Sequence, residues 1–99
     1  MPGYISLMKF TPKGLADIKN SSERVKQAKA AAQKAGIKFV GFWATMGEYD
    51  AVAIIDAPNE QVGAMYAIAV ASMGNVTTQT MRAFSEAEWA EVVSKLPAS

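Results

Sequence analysis

The sequence predicts an α+β fold in which helices cover one face of a four-stranded antiparallel sheet. Strand-like and helix-like segments follow one another in the order β-α-β-β-α-β-α along the 99 residues. Only a few residues around Gly47 separate the second strand from the third, so these two strands form an antiparallel hairpin. Capping patterns precede the helical segments and indicate where each helix begins.

The first half of the chain contains one strand, one long helix and the hairpin. Residues 4–10, YISLMKF, are rich in β-forming side chains and precede the strand-breaking segment TPKG, after which residues 15–19 can add a helical turn. Asn20 and Glu23 form a pattern close to a capping box, and the helix that they start ends at Gly36. The hairpin strands then occupy residues 37–45 and 49–56.

The second half contains an apolar helix, a fourth strand and a C-terminal helix. The segment APNE opens the second main helix, which runs to Gly74 and has no charged side chain from Gln61 onward. Residues 75–84, NVTTQTMRAF, are rich in Val and Thr and predict the fourth strand. SEAE is a capping box for the last helix, which Pro97 ends. The apolar face of that helix consists of Trp89, Val92, Val93 and Leu96.

Right-handed crossovers place these strands in the order 4-1-3-2, the ferredoxin-like arrangement, with both main helices on one face. The opposite face is then bare in a single chain. Counting alternate positions puts Phe39 and Trp43 on one face, and Val40, Phe42 and Met46 on the other, so both faces carry apolar side chains. We therefore expect a homodimer or higher homo-oligomer whose sheet faces pack together. The alternative is that these side chains are tolerated surface.

The composition excludes several classes of function. The chain has no cysteine and no histidine, which removes disulfides, the commonest metal and haem ligands and the usual general base. Ten basic and nine acidic side chains give a net charge of +1, too balanced to indicate nucleic-acid binding. No apolar run approaches the roughly 20 residues of a membrane span, and the N-terminus lacks a signal-peptide layout. We expect a cytoplasmic protein of one domain, residues 1–99, without a metal or other cofactor.

Three segments of the chain carry a resemblance to a known family. They are YISLMKFTPKGLADIKNSSERV, GEYDAVAIIDAPNE and GNVTTQTMRAFSEAE, in that order. With them the chain resembles the GYD-domain family, named for the Gly, Tyr and Asp of the hairpin turn, which here are Gly47, Tyr49 and Asp50. The resemblance implies a ferredoxin-like, dimeric α+β barrel. It implies no catalytic residues, because the family is functionally uncharacterised.

The hairpin turn is also the leading candidate for a functional site. The third strand starts beside the end of the first, which predicts that Asp50 lies near Lys9. A Lys–Asp pair beside the Tyr49 phenol can bind a polar ligand or transfer a proton. Turn chemistry explains the motif equally, because Gly adopts a positive φ and Asp bonds backbone N–H groups. Further ligand-binding candidates are Trp43 as an apolar wall, Glu48, and Arg82, which either binds an anion or forms an exposed or intersubunit ion pair.

Two functions remain open at this point. The first is a homo-oligomeric barrel that binds, and can transform, a small and partly apolar organic molecule without metal or haem. Its cleft would lie between the sheet and the helices. The second is a non-catalytic ligand-binding or assembly module, in which the motif residues serve the turn and the interface.

Overall fold

The computed structural model describes residues 1–98, which contain four strands and four α-helices. The strands form one antiparallel sheet in the order β2-β3-β1-β4, which confirms the predicted ferredoxin-like α+β arrangement. The strands are β1 (Gly3–Phe10), β2 (Lys38–Ala44), β3 (Ala51–Asp56) and β4 (Val76–Ala83). The helices are α1 (Pro12–Ala16), α2 (Ser21–Lys34), α3 (Glu60–Ser72) and α4 (Glu86–Ser94), with a 3₁₀ turn at Ile18–Asn20.

Helix α1 begins earlier than the sequence predicts. The TPKG segment does end β1, but it then starts a helix, because the Thr11 hydroxyl accepts a hydrogen bond from the Gly14 N–H at 3.1 Å. Pro12 stands in the first turn, where its missing N–H and fixed φ suit a helix. Gly14 is buried against the segment that leads into β4, since a β-carbon there would lie 2.1 Å from the Asn75 carbonyl oxygen.

The core lies between the sheet and helices α2 and α3. One buried cluster joins Ala32 of α2 to Ile55 of β3, and a second one is built around Met8 of β1 and its neighbours on β3. The Tyr66 hydroxyl of α3 donates to the Ala28 carbonyl of α2 at 2.7 Å, and burial of this phenol raises its pKa. The two helices are thereby joined on the same side of the sheet, the side called the helix face below.

A β-bulge in β2 decides which of its aromatic side chains reach the core. Phe39 pairs with Ile55, but Gly41 pairs with Ile54, so Val40 is the extra residue. Beyond the bulge, Phe42 joins Phe39 on the helix face, where both pack on buried residues. Trp43 pairs with Val52 and lies on the opposite face. The predicted face assignment for β2 was wrong, because simple alternation does not hold through a bulge.

The opposite face of the sheet, called the open face below, is apolar and accessible. Trp43 is 53% exposed and Met81 is 38% exposed. The other apolar side chains of this face, which are partly exposed, are Ile5, Leu7, Val52 and Ile54. Soluble sheets normally alternate apolar and polar residues when one face meets water. A face of this composition favours burial against another surface.

Helix α4 extends from the end of the sheet, and none of its residues is buried. Its start is well defined, because the Ser85 hydroxyl accepts from the Glu88 N–H at 3.2 Å while the Ser85 N–H donates to Glu88 Oε1 at 3.0 Å. Trp89, on its apolar face, is 58% exposed. None of the helices in residues 1–98 has the length and apolarity that a bilayer crossing requires.

Candidate functional site

The loop between β2 and β3, residues 45–50, is longer than a two-residue hairpin turn and is closed by its own hydrogen bonds. The Thr45 N–H donates to the Asp50 carbonyl oxygen at 2.9 Å, and the Thr45 hydroxyl donates to the Tyr49 carbonyl oxygen at 2.6 Å. Gly47 has a φ of 120°, which side-chain-bearing residues rarely adopt. The loop therefore needs its glycine for conformational reasons alone.

Asp50 binds the backbone of the neighbouring strand. Its carboxylate oxygen Oδ2 accepts a hydrogen bond from the Phe10 N–H at 2.9 Å, and its own N–H donates to the Met8 carbonyl oxygen at 2.8 Å. The side chain thus extends the pairing of β1 and β3 past the end of the ladder, where no backbone carbonyl is offered to Phe10. This geometry favours the turn interpretation of Asp50.

Lys9, Glu48, Tyr49 and Gln79 form a polar cluster at this end of the sheet, called the polar corner below. The Lys9 ammonium lies 3.8 Å from Glu48 Oε1 and 5.2 Å from the centre of the Tyr49 ring. The Tyr49 hydroxyl donates to Gln79 Oε1 on β4 at 2.7 Å. Lys9 therefore forms its ion pair with Glu48 and not with Asp50, the partner that strand pairing predicted.

Trp43 lies on the open face of the sheet, outside the space between sheet and helices. Its ring crosses the open face above Gly41, where an added β-carbon would come within 2.5 Å of the indole. It is consequently an exposed apolar surface rather than the wall of an internal cleft.

An open cleft of about 450 Å³ lies on the helix face, between α3 and strands β1 and β4. Small residues of α3 form one wall, and Tyr4 and Thr80 of the sheet form the floor. Two charged side chains, Glu60 and Arg82, also line it. Arg82 is the one sequence-predicted candidate in this cleft.

Arg82 is held by the end of the sheet and by α4. Its Nη1 donates to the carbonyl oxygens of Gly3, at 3.3 Å, and Ala83. Its Nη2 lies 3.4 Å from Glu88 Oε2, and its guanidinium carbon lies 4.6 Å from the centre of the Phe84 ring. Arg82 thus forms an ion pair within its own chain and borders the cleft, while anion binding by Arg82 stays a prediction.

A model of the GYD domain matches residues 4–93. The chain belongs to the GYD domain family.

A curated relative of this GYD domain is known from Thermus thermophilus as "Glutamine synthetase and cystathionine beta-lyase binding protein". The two are 29% identical over 89 residues, a stretch covering 89% of this chain and 94% of the relative. No solved structure matches the chain. The name describes the relative as a protein that binds two enzymes.

The GYD domain brings to the cleft two residues that were not predicted from the sequence. They are Tyr4 and Glu60, whereas Gln79 completes the polar corner. Strand alternation could have placed Tyr4 and Arg82 on one face, since they are register partners on adjacent strands. Nothing in the local sequence around Glu60 indicates the cleft.

Within residues 1–98, no group of three or more acidic side chains is arranged to hold a metal ion.

The Glu88 carboxylate gives the GYD domain a pH-dependent contact. The hydrogen bond from the Ser85 backbone N–H is the main reason that the pKa of Glu88 is lowered, and the Ser85 hydroxyl and Arg82 lower it further. A lowered folded-state pKa means that this contact stabilises the fold above the ordinary glutamate pKa of about 4.3 and is lost as the pH falls through the folded value.

We expect the thermal midpoint to fall more steeply below about pH 4.3 in the native chain than in Glu88→Gln, measured by circular dichroism from pH 7 to pH 3. Glutamine keeps the capping-box hydrogen bond but cannot titrate, so the difference between the two curves isolates this carboxyl. Parallel curves for the two chains would contradict a stabilising role for the Glu88 charge.

Proposed function

We propose that this GYD domain is a cytoplasmic, homo-oligomeric, non-catalytic module that binds another protein. The observation that carries the proposal is the outer surface of α3. Met65 is 55% exposed and Ile68 is 68% exposed, and there is no charged side chain from Gln61 through Gly74. An exposed apolar patch of this kind marks a protein interaction site more often than ordinary surface.

Self-association uses a different surface, the open face of the sheet. Packing of two open faces would bury Trp43, Met81 and the apolar side chains between them, as in an aligned sheet sandwich. Since α2 and α3 lie on the opposite side, they remain on the outside of such a dimer. The α3 patch is then free to contact a second kind of protein, and the dimer presents it twice.

The polar corner supports a non-catalytic role. The Asp50 carboxylate already accepts from the Phe10 N–H, and the Lys9 ammonium lies beside Glu48. Both groups therefore serve contacts within the fold. A general base needs instead a side chain free to reach a substrate proton.

The relative suggests which proteins to test first. It is named for binding glutamine synthetase and cystathionine beta-lyase, and its alignment with this chain is nearly end to end. We extend this partner class to the present chain, so that the glutamine synthetase and cystathionine beta-lyase of the same organism are the first candidates.

The test measures binding of each purified enzyme to the immobilised GYD domain by biolayer interferometry. We expect Met65→Lys to weaken binding at least about tenfold, because it places an unpaired charge in the centre of the contact. Met46→Lys is the matched control, since Met46 is 100% exposed and lies in the 45–50 loop, away from α3. Failure of the native chain to bind either enzyme, or equal binding by Met65→Lys, would refute the proposed partner surface.

A second candidate function is the binding of a small organic molecule in the helix-face cleft. The specific observation in its favour is the cleft itself, whose volume of about 450 Å³ is within the usual range for ligand sites. In that case Lys9, Tyr49 and Asp50 would not contact the ligand, because other residues line the cleft.

A further inference from the structure

We propose that the helix-face cleft binds a free α-amino acid with an apolar side chain. This inference rests on the second candidate function and specifies its ligand. The cleft combines one acidic group, one guanidinium group and an apolar surface, and these are the three features that such a ligand would match.

Two charged groups line the cleft and come from different elements. Arg82 belongs to β4, and Glu60 belongs to the first turn of α3. Within residues 1–98 the ion pair of Arg82 is made with Glu88, and Glu60 forms none. An α-amino acid carries its carboxylate and its ammonium on one carbon, so a ligand held between these two side chains presents an opposite charge to each of them.

Arg82 keeps hydrogen-bonding capacity for a carboxylate. A guanidinium has five N–H donors in a rigid fork. Among the described residues, Gly3, Ala83 and Glu88 each accept one hydrogen bond from it, which leaves two donors unused. The side chain is already oriented by these contacts, so little rotamer freedom is lost when a ligand binds.

The remainder of the cleft suits an apolar side chain. Ala64, Ala67 and the largely exposed Ile68 of α3 line the cleft together with Tyr4 of β1. Gly63 lies so close to this ring that a β-carbon would come within 2.6 Å of it, so helix and sheet touch beside the cleft. Ala64 and Ala67 have small side chains, and the space beside them can hold a branched or thioether side chain.

The ligand test compares three molecules that have the same apolar isobutyl group. They are L-leucine, 4-methylpentanoate, which lacks the ammonium, and 3-methylbutylamine, which lacks the carboxylate. Titration of the ¹⁵N-labelled chain is followed by NMR at the amides of Gly63, Ala64 and Thr80. We expect L-leucine to bind with a dissociation constant of about 1 mM or lower and each analogue to bind at least about tenfold more weakly.

Two variants assign the charges to residues. Glu60→Gln is expected to weaken leucine binding about tenfold, with Glu91→Gln on α4 as the matched control that leaves it unchanged. Glu88→Gln is expected to strengthen binding several-fold, because it frees the Arg82 charge while glutamine preserves the capping box.

The outcomes separate this inference from the function on which it rests. If all three molecules bind equally, or if a different small molecule shifts the same amides while leucine does not, the amino-acid inference is wrong and the cleft remains a ligand site. If no small molecule shifts these amides, both are wrong. Unchanged leucine affinity in Glu60→Gln would also overturn the proposed recognition.

Discussion

Leu7→Lys is expected to convert the proposed homodimer of this GYD domain into a monomer of about 10.6 kDa. Leu7 lies on the central strand β1, with Val52 and Gln79 as its register partners on either side. In the proposed dimer the substitution buries an unpaired ammonium in the middle of two apolar sheet faces. The penalty for such a charge is several kcal/mol, which corresponds to a rise in the dimer dissociation constant of about a thousandfold.

Size-exclusion chromatography with light scattering measures this change directly, and circular dichroism verifies that the monomer is folded. Met65→Lys is the reciprocal control, because this variant should remain oligomeric but no longer bind the proposed partner enzyme. Light scattering that finds the native chain monomeric at micromolar concentration would remove the basis for pairing the open faces. An oligomer that survives Leu7→Lys would place the interface elsewhere on the molecule.

Asp50→Ala is expected to lower the free energy of unfolding by about 2 kcal/mol. The substitution leaves the Phe10 N–H without the carboxylate that accepts its hydrogen bond at 2.9 Å. It also removes the side-chain link between the 45–50 loop and β1, so the loop is held by fewer contacts. Urea unfolding followed by circular dichroism gives the value.

Glu48→Ala is the matched control, because Glu48 is an adjacent acid of the same motif whose side chain is 74% exposed. Its loss should change stability by at most about 0.5 kcal/mol. We expect both variants to bind the proposed partner enzyme as the native chain does. Loss of binding in Asp50→Ala without loss of stability would reverse the assignment and make the aspartate a contact residue.

Local sequence patterns were sufficient to predict most of the secondary structure. The Ser85–Glu88 capping box is a short-range interaction, and the structure contains both of its hydrogen bonds. The N-cap of α3 at Asn59 is equally local, since its side chain accepts from the Val62 N–H at 2.9 Å. The strand order followed from connection lengths and crossover handedness. Such features depend on residues near one another in the chain.

The candidate site was less predictable, because its geometry depends on contacts between distant segments. The proximity of Lys9 to the hairpin turn followed from strand pairing, but its partner is Glu48 because the Asp50 carboxylate binds the Phe10 N–H. Arg82 was singled out as a charge within a strand. Its contacts with Gly3 and Glu88 require both the sheet and the path of the chain into α4.

The chain's amino acids were enough to establish the α+β class, the antiparallel strand order, the absence of cysteine and histidine chemistry, and the GYD motif. Periodicity, capping and turn preferences are properties of short segments and do not depend on the rest of the fold. The bulge at Val40, the bonding of Asp50 and the cleft between α3 and β4 required the folded chain. These features depend on which backbone N–H and C=O groups, far apart in sequence, form hydrogen bonds with one another. That pairing is decided only when the sheet and its helices pack together.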